Sequence, residues 1–162
     1  MSEYEFRPAN KGDIPEIVGV YRGLIGAPGC TWDLDYPSEE TAEYDVKNEY
    51  LYILKNENRI IAAASFGDFN ELGDLAWKPK NPCELMRIGV RRAYHKKGFG
   101  TIMLRNIIAA AKGKGYDGIR MLVNKNNHAA LAMYDGNGFE RCGEVYKFGS
   151  DYYCYQMEFQ HP

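Results

Sequence analysis

Residues 81–112 read NPCELMRIGVRRAYHKKGFGTIMLRNIIAAAK. After the proline, CELMRIGV (83–90) is a largely apolar run of strand length. From about residue 98 to 112 a mostly apolar helix comes next and ends at KGKG. The junction between them carries the chemistry. HKKGFG, residues 95–100, opens the helix with Gly98 and Gly100. Backbone N–H groups that converge at a helix N-terminus form an anion site, and glycine lets a phosphate approach with no Cβ in the way. From Arg87 to Lys97 the chain carries Arg87, Arg91, Arg92, Lys96 and Lys97 with no acid among them, so charge adds to the helix dipole. A multiply charged phosphate ligand is expected. Two common phosphate loops do not fit, because GxxxxGK[ST] is absent and a dinucleotide GxGxxG needs glycine where Met103 stands.

Outward from this junction the chain reads as mixed α and β. YEFRPA (4–9) is a first strand. DIPEIVGVYRGL (13–24) is a helix, with Asp13 as its cap, Glu16 three residues on, and Ile14, Ile17, Val18 and Tyr21 on one face. PSEETAEYDVKN (37–48) is a second helix capped by Ser38, with Glu39 and Glu40 in the first turn where the dipole favours them. YLYILKN and RIIAAASFG are joined by the polar NEN, which predicts an antiparallel hairpin. A loop with two prolines, FNELGDLAWKPKNP, precedes the strand at 83–90. Past the central helix, DGIRMLV is a strand, NHAALAMYDG a helix, and FERCGEVYKF and DYYCYQMEF two closing strands. No repeat, low-complexity tract or linker interrupts the 162 residues, so one domain over 1–162 is expected.

Composition narrows the function classes. A formal net charge of −2 gives no bulk field to gather nucleic acid or anionic membrane. A nucleic-acid module needs a basic stripe with exposed aromatics across a face, whereas the basic residues here concentrate beside one loop. No run of 18 apolar residues is present and the N-terminal stretch lacks the apolar core of a signal peptide, so a cytoplasmic protein without a membrane partner is expected. Cys30, Cys83, Cys142 and Cys154 form no CxxC pair and do not cluster with His95, His128 or His161, so neither a metal site nor a disulfide is expected.

With HKKGFG in the place of (Q/R)xxGx(G/A), and with NxxAxxxYxxxGF matched in full by Asn127, Ala130, Tyr134, Gly138 and Phe139, the chain resembles the GNAT superfamily of acyl-CoA-dependent N-acetyltransferases. The two motifs stand in the family's order about 30 residues apart, and the resemblance covers essentially the whole chain. The departure is His95 in the Gln/Arg place. The resemblance implies an α/β (α+β) fold: a central mixed, mostly antiparallel twisted sheet of about seven strands, flanked by about four helices. A splayed pair of parallel strands is expected to hold acyl-CoA.

It also implies acetyl-CoA as cosubstrate and an acetyltransferase reaction by direct attack in a ternary complex. The loop His95, Lys96, Lys97, Gly98, Phe99, Gly100 and Thr101 would wrap the CoA pyrophosphate. Ile88, Gly89 and Val90 would lie along pantetheine, and the Ile88 N–H would point at the acetyl carbonyl as an oxyanion donor, a kind of group whose loss costs about 10²- to 10³-fold in rate. Asn127 and Ala130 belong to the second motif, and Tyr134 occupies the family's general-acid position. An alkylamine with a pKa of about 10 must lose a proton before attack. Glu84, four residues before Ile88 and on the same strand face by the two-residue period, is the candidate base. Its alternatives are an ion pair with Arg87 or another nearby cation, and ordered water in place of a committed base.

For the acceptor, the family places the pocket beside the first two helices. TWDLDYPSEETAEYDV (31–46) carries Asp33, Asp35, Glu39, Glu40, Glu43 and Asp45 with no Lys or Arg, while Trp32 and Tyr36 offer cation–π contact. Tyr153, with Tyr152 and Tyr155, is a further lining candidate. A small cationic amine is the expected acceptor. Protein N-terminal or lysine acetylation and a non-catalytic acyl-CoA sensor stay open, as does a homodimer.

Overall fold

The computed structural model describes residues 4–160; His161 lies outside the described residues. Its eleven regular elements alternate as the sequence predicts: β1 (Tyr4–Pro8), α1 (Ile14–Gly23), α2 (Glu39–Lys47), β2 (Leu51–Asn56), β3 (Arg59–Gly67), β4 (Pro82–Val90), α3 (Phe99–Gly113), β5 (Gly118–Asn124), α4 (His128–Asp135), β6 (Glu140–Lys147) and β7 (Ser150–Glu158). The strands form one seven-stranded mixed sheet in the order β1-β2-β3-β4-β5-β7-β6, which with the four helices is the expected fold. The chain divides into two compact units, residues 4–65 with 87–106, and residues 66–86 with 107–160.

In the first unit β1, β2 and β3 pair antiparallel, from Tyr4 opposite Asn56 to Leu51 opposite Ser65. The apolar stripe of α1 is buried as its 3.6-residue period requires: Ile14, Ile17, Val18 and Tyr21 pack with Leu51 and Ile53. The helix entry differs from expectation. Asp13 makes no cap bond to α1. Its carboxylate accepts the Asn10 N–H at 2.8 Å and two Arg7 donors at 2.8 and 3.1 Å, one turn earlier. Glu16 faces away from the cap and accepts the Ile60 N–H at 2.6 Å and Arg91 Nη2 at 3.1 Å. Ser38 caps α2 as expected, accepting the Thr41 N–H at 3.2 Å while Thr41 Oγ1 accepts the Ser38 N–H at 3.1 Å.

In the second unit β5 pairs antiparallel with β7 along its whole length, Gly118 opposite Glu158 to Asn124 opposite Tyr152. The parallel register of β4 with β5 covers only Pro82–Glu84 opposite Gly118–Arg120. Leu85, Ile119, Met121 and Tyr155 are buried in this unit. Buried polar groups hold the proline-rich connection before β4: the N–H groups of Glu71 and Leu72 donate to Glu84, and that of Lys78 donates to Gln156.

Candidate active site

β4 carries the candidate residues Glu84, Ile88, Gly89 and Val90, and it is not a regular strand. Arg87 has φ +53, a left-handed conformation that non-glycine residues rarely adopt. Such a kink breaks the two-residue alternation and re-aims the next residues of the strand, Ile88, Gly89 and Val90. The expectation that Glu84 and Ile88 share a strand face by period alone therefore loses its basis. No periodicity in CELMRIGV signals the kink.

The Arg87 side chain holds it. Its guanidinium donates from Nε at 3.0 Å and from Nη2 at 2.9 and 3.0 Å to Asp45, and from Nη1 at 2.8 Å to Tyr36 Oη. Asp45 is 0% exposed and also accepts from Ser65 Oγ at 2.7 Å. Asp45 thus faces inward, neutralised by Arg87, and does not belong to an acidic wall that greets an amine. Asp33 accepts the N–H groups of Asp35 and Tyr36 at 2.8 and 2.9 Å and closes the turn that presents Tyr36. Asp35, Glu39, Glu40 and Glu43 are exposed. Trp32 is half-buried, edge-on to Tyr21 at 5.4 Å. A Cβ at Gly89 would meet Leu24 Cδ1 at 2.6 Å and Trp32 Cη2 at 3.4 Å, so Leu24 and Trp32 reach β4 where the side chain is missing. Tyr21 Oη is buried without a hydrogen-bond partner, and burial, with Asp45 nearby, pushes its phenol well above the usual range. Arg87, Asp45, Ser65 and Tyr21 were not legible as a group, because four different elements supply them.

In the same unit the loop ahead of α3 turns on two left-handed residues, Lys96 (φ +61) and Gly98 (φ +85), and a Cβ at Gly98 would meet no neighbour within 4 Å. The Ile102 N–H donates to Gly98 O at 3.1 Å, and the first turn contains no acid. Lys96 and Lys97 are exposed; Phe99, Gly100 and Thr101 are half-buried. The arginines of the flank are partly committed, Arg91 to Glu16 and Ile60 O, and Arg92 to Ile25 O at 2.9 Å. His95 does not extend the loop outward: its Nε2 donates to Val90 O at 2.6 Å, tying the loop to the end of β4. Met103, where a dinucleotide loop needs glycine, is fully buried on the inner stripe of α3 with Leu104 and Ile107.

The second unit holds the remaining candidates. Glu84 is 1% exposed and its carboxylate accepts three hydrogen bonds, from the Glu71 and Leu72 N–H groups at 2.8 and 3.0 Å and from Arg120 Nε at 2.9 Å, while Arg120 Nη2 completes the ion pair 2.6 Å from Oε2. This is the ion pair left open by the sequence, with Arg120 rather than Arg87 as partner. The second motif is built as one device. Asn127 caps α4, its Oδ1 accepting the Ala130 N–H at 3.2 Å. Gly138 takes φ +86 to end the helix, and Phe139 returns its N–H to Tyr134 O at 3.2 Å and its ring against the Tyr134 ring at 5.3 Å. Tyr134 is 2% exposed, and burial alone pushes its phenol above the usual range, so it stays protonated. Tyr153 is flanked by the Arg141 guanidinium, 3.8 Å from the ring centroid, and by Lys125 at 5.0 Å. Its ring is therefore engaged by the protein's own cations.

The fold is similar to that of the Salmonella typhimurium protein yncA, solved with its cofactor acetyl-CoA: TM-score 0.79 at 20% identity, covering 99% of this chain and 96% of that one. In sequence the chain is 28% identical over 67 residues to mouse N-acetyltransferase family 8 member 3, a match covering 41% of this chain and 30% of the mouse protein. The chain thus spans less than a third of the length of the mouse relative. It is 21% identical over 153 residues to the L-methionine sulfoximine/L-methionine sulfone acetyltransferase of Pseudomonas paraeruginosa, covering 90% of this chain and 86% of the relative. The model of the acetyltransferase (GNAT) family matches residues 18–139, taking in the kinked strand, the glycine loop and the whole of α4, and the chain belongs to that family.

Proposed function

We propose that this chain is a cytoplasmic N-acetyltransferase that moves the acetyl group of acetyl-CoA to the primary amine of a small cationic molecule, by direct attack in a ternary complex, with both units acting as a single domain. The observation that carries the reading is the open glycine loop at the head of α3, with two left-handed residues, exposed Lys96 and Lys97 and no acid in the first turn. Its backbone and charge fit the pyrophosphate of CoA. Acetyl-CoA supplies the activated acyl group as a thioester.

Within this reading each residue has a physical task. Lys96 and Lys97 neutralise phosphate, the N–H groups from Gly98 to Thr101 receive it, and His95 keeps the loop against Val90. Ile88, Gly89 and Val90 run beside the pantetheine arm, with the Ile88 N–H as donor to the acetyl oxygen. Tyr134, kept protonated by its burial, gives its proton to the departing thiolate sulfur. Asn127 and Ala130 fix the helix that presents it. The amine loses its proton to water and not to Glu84, whose oxygens are already engaged by Arg120 and two backbone N–H groups. Trp32, Asp33 and Tyr36 border the acceptor, and the exposed Asp35, Glu39, Glu40 and Glu43 favour a cation there. The exposed Leu34 on the same turn favours a second reading, a peptide or protein amine.

CoA release from acetyl-CoA, measured with polyamines, aminoglycosides, amino acids and short peptides alongside acetyl-CoA binding, tests this directly. Release that depends on a small amine is expected. Release with peptides alone favours the second reading, and tight binding with no release to any acceptor indicates a sensor.

A further inference from the structure

Arg87 is the one strand position in β4 whose backbone is left-handed, and no glycine relieves it. A conformation that an L-residue avoids persists where surrounding contacts over-determine it. Those contacts are Asp45 and Tyr36 on the guanidinium, with Ser65 Oγ steadying the carboxylate. The residue after the kink is Ile88, and the twist at Arg87 sets where the Ile88 N–H points. We propose that Asp45 is a positioning residue for acetyl transfer: by clamping Arg87 it holds the β4 kink that aims the Ile88 N–H at the acetyl oxygen. The inference rests on the acetyltransferase reading of the site.

The chemistry of the clamp suits this task better than a role in stability alone. A buried carboxylate and guanidinium are costly to desolvate and are no surer source of stability than an apolar pair of the same volume. A bidentate fork does, however, fix the orientation of both groups. Here it joins a helix, through Asp45, to the strand residue next to the proposed oxyanion donor. Tyr36, on the acceptor-side turn, is tied to the same guanidinium, so that turn and the kink share one anchor.

The test separates aim from folding. In Asp45→Asn the fork is broken. We expect kcat per folded molecule to fall by about 10²-fold, as a misplacement of about 1 Å does, with the KM for acetyl-CoA changed less than about threefold. Two further variants remove both charges: Asp45→Asn/Arg87→Gly, in which position 87 adopts positive φ freely, and Asp45→Asn/Arg87→Ala, in which it does not. The glycine pair is expected to keep kcat at least about tenfold above the alanine pair. Equal kcat in the two pairs, or Asp45→Asn with lowered melting temperature but wild-type kcat per folded molecule, overturns the proposal and leaves the acetyltransferase reading standing. Wild-type protein that transfers acetyl to no amine overturns both.

Discussion

Glu84 and Arg120 stand opposite each other in the short parallel register of β4 and β5 and close a buried ion pair, with Arg120 Nε donating to Glu84 Oε2 at 2.9 Å and Nη2 2.6 Å from the same oxygen. The pair, with the two backbone N–H groups that also donate to Glu84, anchors the connection that precedes β4. Glu84→Gln leaves the Arg120 charge buried without a counter-charge, which costs about 3 kcal/mol or more. The expected outcome is a lower melting temperature with an unchanged shape of the kcat pH profile. A profile that loses its acidic limb returns Glu84 to the role of base.

Tyr134 presents the opposite case. No hydrogen bond ties its hydroxyl to another described residue, while its ring packs on Phe139 and Tyr155. Tyr134→Phe keeps the ring and is expected to leave thermal stability nearly unchanged while kcat falls about 10²- to 10⁴-fold, the range for loss of a general acid. Because burial raises its folded pKa, the free enzyme should show no loss of activity from Tyr134 ionisation until well above pH 10. Paired melting and steady-state measurements check both halves.

Tyr21 Oη is a buried side-chain polar atom without a hydrogen-bond partner among the described residues. An unmet buried hydroxyl costs about 1–3 kcal/mol, and Tyr21→Phe removes the cost while keeping the ring against Trp32. Denaturant unfolding is expected to show stability unchanged or raised by about 1 kcal/mol. A loss of more than that reveals a bridging partner, such as an ordered water.

Arg7 holds the Asp13 carboxyl below the usual carboxylate range, its hydrogen bonds outweighing the desolvation, and Asp13 in turn raises the Arg7 guanidinium. The folded pKa of Asp13 lies below the unfolded one. Its contribution is therefore fully present above the unfolded value, near 4, and is lost as pH falls through the folded value. Asp13→Asn should reduce stability at pH 7 and flatten its acid dependence below about pH 4. Urea midpoints at pH 7, 4 and 2.5 read this out.

Much of this protein was legible before any fold was known, and the legible parts share one cause: each depends on residues close in the chain. The stripe of α1, the Ser38 cap of α2, the polar turn between β2 and β3 and the glycines ahead of α3 are local, and the order and type of all eleven elements came from such signals. The motif around Tyr134 was equally local, since cap, helix and left-handed Gly138 lie within thirteen residues. Tertiary structure alone decided which charges are spent inside the protein. Asp45 read as part of an acidic wall and Glu84 as either a base or one half of an ion pair, because a sequence cannot show that Arg87 lies 42 residues away but 3 Å distant, or that Arg120 lies opposite Glu84 on a parallel strand. It also decided the kink at Arg87. A positive φ at an arginine runs against local preference, and only long-range contacts that outweigh that preference hold it in place.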